Sequence, residues 1–155
     1  MASEKEIRLA KDAYESFCSM LDNRGWVYDK DDSSLYISVG VTGDDLPMDF
    51  EVVFDVEYQI ARMRSILPFK MNKEKMIEGS IATNSINYLL ADGSFDFNLA
   101  DGTIAFRLTT SFKNSLINER VFAYMVDVAC TTIDEYNDKL LMLSKGMIKI
   151  EDIIK

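Results

Sequence analysis

The chain has 155 residues, 48% hydrophobic and 28% charged, which predicts one globular domain with its own core and excludes a disordered polymer. Its 17 Lys and Arg against 26 Asp and Glu leave a net charge of −9, which repels phosphate backbones and anionic lipid and argues against nucleic acid and membrane surfaces as partners. Histidine is absent, and with it His general bases, Ser–His and Cys–His nucleophile pairs and nearly all zinc sites.

The first element is a helix over about Ser3 to Arg24. Ser3 and Glu6 have the spacing of a capping box, and Ile7, Ala10, Tyr14, Phe17 and Leu21 step by three and four along one face. Gly25 suits a left-handed C-cap, after which Trp26 can fold back on the last turn. Trp26-Val27-Tyr28 then begins the sheet, and Asp29 to Ser33 reads as a polar turn. Leu35, Ile37, Val39 and Val41 alternate with Tyr36, Ser38 and Gly40 as a strand. After a loop from Thr42 to Pro47, a second clear strand alternates Phe50, Val52, Phe54 and Val56 with acids and Val53.

From Glu57 to Leu67 the apolar residues hold no single phase. A turn near Glu57-Tyr58 followed by a bulged strand from Gln59 to Leu67 is one reading, a short helix the other. Pro68 is expected to stop a strand there, since proline has no ladder donor.

The stretch from Asn72 to Thr109 organises the rest. Asn72 stands where an N-cap belongs, and Met76, Ile77, Ile81 and Leu89 give a broken helical spacing that Asp92-Gly93 ends. Phe95, Phe97 and Leu99 then alternate with Asp96 and Asn98. Asp101-Gly102 turns the chain, and Ile104, Phe106 and Leu108 alternate on the way back. Ser111 to Ile117 is a loop. Asn118 caps a long helix carrying Phe122, Met125, Val126, Ala129, Ile133, Tyr136 and Leu140, which Gly146 breaks before a short terminal helix.

The expected fold class is therefore α+β: an antiparallel sheet of about five strands with helices packed on it, in the order α-β-β-β(-β)-α-β-β-α. Residues 1–155 are expected to form a single domain, with 145–155 a short helical extension. No apolar run reaches the ~20 residues that span a bilayer, and Met1 to Lys11 lacks the apolar core of a signal peptide, so a cytoplasmic location is expected. Cys18 and Cys130 lie among apolar neighbours and are expected to be buried free thiols.

Candidate chemistry is sparse. Asp29-x-Asp31-x-Ser33 opens like a calcium loop, but Ser34 replaces the required glycine and Gly40 the required acid, so a hairpin turn is expected. Asp44-Asp45 reads as loop charge, and Asp92-Gly93 and Asp101-Gly102 as backbone turns. No catalytic residue, metal or cofactor is expected. Asn84 and Asn87 lie one helical turn apart beside Tyr88, where amides serve either to hold the helix-to-strand corner or to bind a peptide backbone. Arg107 faces Asp96 across the hairpin, an ion pair worth under ~1 kcal/mol. Six of the nine methionines (Met20, Met63, Met76, Met125, Met142 and Met147) are expected to be core filler or, alternatively, an adaptable binding surface.

The run Asn84-Ser-Ile-Asn87-Tyr-Leu-Leu-Ala-Asp-Gly93-Ser-Phe95-Asp-Phe97 resembles the core signature of the YbjN-domain family, with two asparagines three apart, then a glycine and a phenylalanine opening a strand. Asp101-Gly102-Thr-Ile-Ala-Phe106-Arg107 resembles that family's second hairpin strand, and Asp134-Glu-Tyr136 its closing helix. The element order matches from Glu6 to about Leu143. The resemblance implies a fold like that of type III secretion chaperones, in a family described as sensory-transduction regulators or left without a function. It offers no catalytic residues to carry over. The resulting expectation is a non-enzymatic, chaperone-like or regulatory module, acting as a homodimer. It would grip a partner polypeptide by an apolar groove or a free sheet edge, with Asn84, Asn87, Tyr88 and Arg107 as candidate contacts. A dedicated secretion chaperone is the alternative. A remote one is a metal-dependent hydrolase, which needs several of Asp29, Asp31, Asp32, Asp44 and Asp45 to converge.

Overall fold

A computed structural model of the chain describes residues 1–154. Helix α1 (Glu4–Asn23) starts at the expected capping box: Glu6 N–H donates to the Ser3 hydroxyl at 3.3 Å, and Ser3 N–H donates to the Glu6 carboxylate at 2.7 Å. Gly25 takes the left-handed φ of +69° that ends the helix, and Arg24 lies over the Trp26 ring at 5.3 Å.

Strands β1 (Asp29–Asp31), β2 (Tyr36–Thr42), β3 (Pro47–Asp55) and β4 (Ile60–Lys70) follow. Helix α2 (Met76–Leu89) comes next, then β5 (Ser94–Phe97), β6 (Thr103–Ser111), α3 (Glu119–Ser144) and the single turn α4 (Ile150–Ile153). The six strands form one antiparallel sheet in the order β1-β2-β3-β4-β6-β5. The fold is thus α+β, as the alternation of short strands and long helices requires.

The period of two puts the apolar set on one side. Ile37, Val39, Phe50, Val52, Phe54, Met63, Ile104, Phe106 and Leu108 are buried beneath α1 and α3. Phe54 is the hub, with Tyr14, Phe17 and Phe122 ring centroids 5.7, 5.9 and 5.8 Å away. Among the described residues no helix covers the opposite face, which presents Glu51, Arg62, Arg64 and Arg107 to solvent.

The structure corrects several expectations. The optional fourth strand of the expected order is present, giving six among the described residues, but Trp26-Val27-Tyr28 precedes the sheet instead of opening it. Asp29 to Asp31, read as turn, is a short charged edge strand with no apolar alternation to reveal it. Pro68 does not end β4. The register slips between Ile66, opposite Ala105, and Lys70, opposite Thr103, so Pro68 sits in a bulge where its missing N–H is not needed. Asn72 does not cap α2. A 3₁₀ turn (Lys73–Lys75) intervenes, and the Asn72 side chain instead donates to the Ser144 carbonyl at 2.7 Å. Strand β6 takes in Ser111, the first residue of the expected loop, and Phe112 within that loop is buried. Met147 is exposed, whereas Met20, Met63 and Met125 are core. Both cysteines are free; Cys18 is buried and Cys130 partly so.

Among the described residues, one inward position of the strands is polar. Ser65 is buried in the row Phe50–Ser65–Phe106, and its hydroxyl has no partner among the described residues. Ser65→Ala removes an unpaired hydroxyl and leaves the packing in place, so it should raise the unfolding free energy by up to about 1 kcal/mol. A lower denaturant midpoint for this variant would show that the hydroxyl has a role in the fold.

Candidate functional site

Helix α2 is built inside out. Its inward residues are small, namely Gly79, Ala82 and Thr83 with Ile86, all buried. A Cβ on Gly79 would lie 2.9 Å from Met71 and from Phe97, so glycine lets the helix backbone settle directly on those side chains. With the inner face filled by small groups, the large apolar ones point away. Ile77 is 75% exposed, Ile81 47%, Tyr88 89% and Leu89 58%. Ile77, Ile81, Asn84 and Tyr88 follow the spacing i, i+4, i+7, i+11 and form one outward stripe. Glu78 is the only charged residue from Met76 to Leu89, and it is spent on Lys75 at 3.2 Å. A row of isoleucines left in water forgoes roughly 1.5–3 kcal/mol each, and contiguous exposed apolar surface marks an interaction face more often than scattered single residues do.

Ile77, Ile81 and Leu89 therefore signal the helix but do not face the core, contrary to the simplest reading of their spacing. Two apolar stripes share this helix, one small and one large. What decides between them is the close approach at Gly79, which periodicity does not carry.

The four residues singled out from the sequence separate into three places. Asn84 and Tyr88 share the outward stripe. Asn87 points to the sheet. Its Nδ2 donates to the Phe95 carbonyl at 2.9 Å, and its Oδ1 accepts from the Phe95 N–H at 2.7 Å. The amide holds the helix-to-strand corner and imitates a neighbouring strand on the outer edge of β5. The other edge, β1, is three residues long and reads Asp-Lys-Asp. Both edges of the sheet are thus blunted, and capture of a partner strand along a free edge is disfavoured. Arg107 lies across the sheet on the uncovered face. It is locked to Asp96 by two bonds, Nε–Oδ2 at 2.7 Å and Nη2–Oδ1 at 3.1 Å. This bidentate pairing lowers the Asp96 pKa and raises that of Arg107.

The five acids of the hydrolase alternative do not converge. Asp31 accepts from the Ser33 hydroxyl at 2.6 Å as an ordinary turn, and Asp44 N–H donates to Asp134 at 3.0 Å in a different loop. Asp32 alone enters a cleft, of about 520 Å³, between α1 and the β1–β2 turn. There it is held by the Tyr14 hydroxyl at 2.7 Å and Lys30 at 3.2 Å. Burial pushes up the pKa of the neighbouring Cys18 thiol, which disfavours a nucleophilic thiolate. Among the described residues, no group of three acids or cysteines is placed to hold a metal ion. Nor is any helix there long and apolar enough to cross a membrane.

By sequence, no protein family and no curated protein matches the chain. By structure, YbjN from E. coli, a protein put forward as a transcription regulator, matches with a TM-score of 0.57 at 11% identity. The match covers 81% of this chain and 91% of that one. The fold is YbjN-like. At this identity the likeness concerns architecture and not chemistry.

Proposed function

We propose that the chain is a non-enzymatic protein-interaction module of regulatory or chaperone-like type that pairs with a second copy of itself through the outward stripe of α2. The exposed, nearly uncharged row Ile77, Ile81, Asn84 and Tyr88 carries this reading. Two bodies of charge −9 repel each other, and α2 offers a face where that repulsion is least. The stripe is also self-complementary. In an antiparallel two-fold pair, Ile77 meets the partner's Tyr88 and Ile81 meets the partner's Asn84, so one patch serves both sides of an isologous contact. The description of YbjN as a regulator agrees with a role exercised through binding. A cytoplasmic setting suits free thiols at Cys18 and Cys130.

The test is capture of partners from the source organism's own lysate by the tagged chain, compared with the double variant Ile77→Asp/Ile81→Asp. The proposal predicts that an untagged second copy is retained by the parent chain and lost from the variant. Retention of that copy by both would place the contact elsewhere. The secretion-chaperone alternative adds a single exported client, which the same capture would show as one dominant companion.

A further inference from the structure

The uncovered face of the sheet carries two arginines that close no ion pair among the described residues. In the ladder, Glu51 on β3, Arg64 on β4 and Arg107 on β6 stand in one cross-strand row, and Arg62 lies on the same face two residues from Arg64. Arg107 is occupied by Asp96, and Glu51 accepts from the Tyr36 hydroxyl at 3.2 Å. Arg62 and Arg64 make no hydrogen bond or ion pair with the described residues. Arg64 is moreover directly opposite Arg107, and like charges facing each other in a ladder destabilise it. Two adjoining depressions, of about 320 and 340 Å³, share Arg64 and Asp96.

We propose that this face binds an extended acidic segment of a partner polypeptide, with successive carboxylates on Arg62 and Arg64. The guanidinium fork matches a carboxylate bidentately. Side chains two residues apart on a strand repeat about every 6.6–7 Å, so alternate acids of an extended segment match Arg62 and Arg64 one for one. Ile66, the next residue on that face and half exposed, takes an apolar side chain, which gives the pattern acid-x-acid-x-apolar. Glu51 and Asp96 flank the arginines and repel an unbroken polyanion such as a phosphate backbone. The net charge of −9 does not forbid an acidic ligand, because screening over roughly 8 Å at physiological salt leaves the local arginines dominant.

This names the partner chemistry of the interaction-module reading and does not require α2 pairing. The experiment is fluorescence anisotropy with the full chain and a short labelled peptide of alternating Glu and Thr ending in Ile, set against its Gln counterpart. The Glu peptide should bind, and bind more weakly as salt rises. Arg62→Gln and Arg64→Gln should each weaken it about tenfold, and the double variant more, with thermal midpoints not lowered. Equal binding of the Gln peptide, undiminished binding by the double variant, no binding of the Glu peptide, or displacement of it by inorganic phosphate at equal concentration would each overturn the proposal. A monomeric chain that still binds the Glu peptide would remove α2 pairing alone. A dimer that ignores the peptide would remove this inference alone.

Discussion

Phe95→Ala lowers the stability of the fold by about 3–5 kcal/mol, the expected cost of emptying a buried aromatic site that cannot collapse. Phe95 is 2% exposed although it stands on an edge strand. Its ring meets Phe106 nearly edge-on at 5.2 Å and Tyr136 of α3 at 6.1 Å, so it joins the last strand to the longest helix. Removing it opens a void between layers that are each fixed by other contacts. The measurement is the denaturant midpoint with an unchanged slope, which assigns the loss to the native state. A loss under ~1 kcal/mol would mean that the hairpin turns its other face to the core.

The second large effect is expected at Asn87. Alanine there leaves both the N–H and the carbonyl of Phe95 without their partner, at a cost of about 2–4 kcal/mol for the two groups together. It also uncovers the edge of β5, so the variant should associate beyond the dimer with rising concentration where the parent does not. Asn87→Asp keeps the acceptor and loses the donor, and should fall between the two. Asn84→Ala, one turn earlier on the exposed stripe, should stay within about 0.5 kcal/mol. Equal effects at the two asparagines, read from thermal midpoints, would show that the Phe95 backbone does not depend on the Asn87 amide.

Much of this architecture was legible because local rules and the tertiary fold agree. The capping box of α1, the alternation in β2 and β3, the Asp101-Gly102 turn and the three-and-four spacing of α3 all lead to the observed elements. The bulged strand was the better of two readings for Gln59 to Leu67, since residues Ala61, Met63, Ser65 and Leu67 alternate inward once Gln59 takes a left-handed φ of +56°. What stayed hidden depends on contacts distant in sequence. Asp29 to Asp31 becomes a strand only because Tyr36 to Ser38 offers it a ladder. Pro68 survives in β4 because the bulge exempts it from pairing. At the candidate site, the Arg107–Asp96 pair and the Asn87 corner could be inferred from spacing. The outward turn of Ile77 and Ile81 could not, because Met71 and Phe97 select which side of α2 is buried. The unpaired state of Arg62 and Arg64 likewise appears only when the neighbouring strands are in register.

The central claim is that the outward stripe of α2 joins two copies of the chain, and light scattering on the eluting peak of a size-exclusion column tests it most directly. The parent chain should show twice the single-chain mass of 17.7 kDa, and Ile77→Asp/Ile81→Asp the single mass with its thermal midpoint retained. A parent chain at 17.7 kDa across the concentration range, or a double variant that remains at twice that mass, would contradict the account.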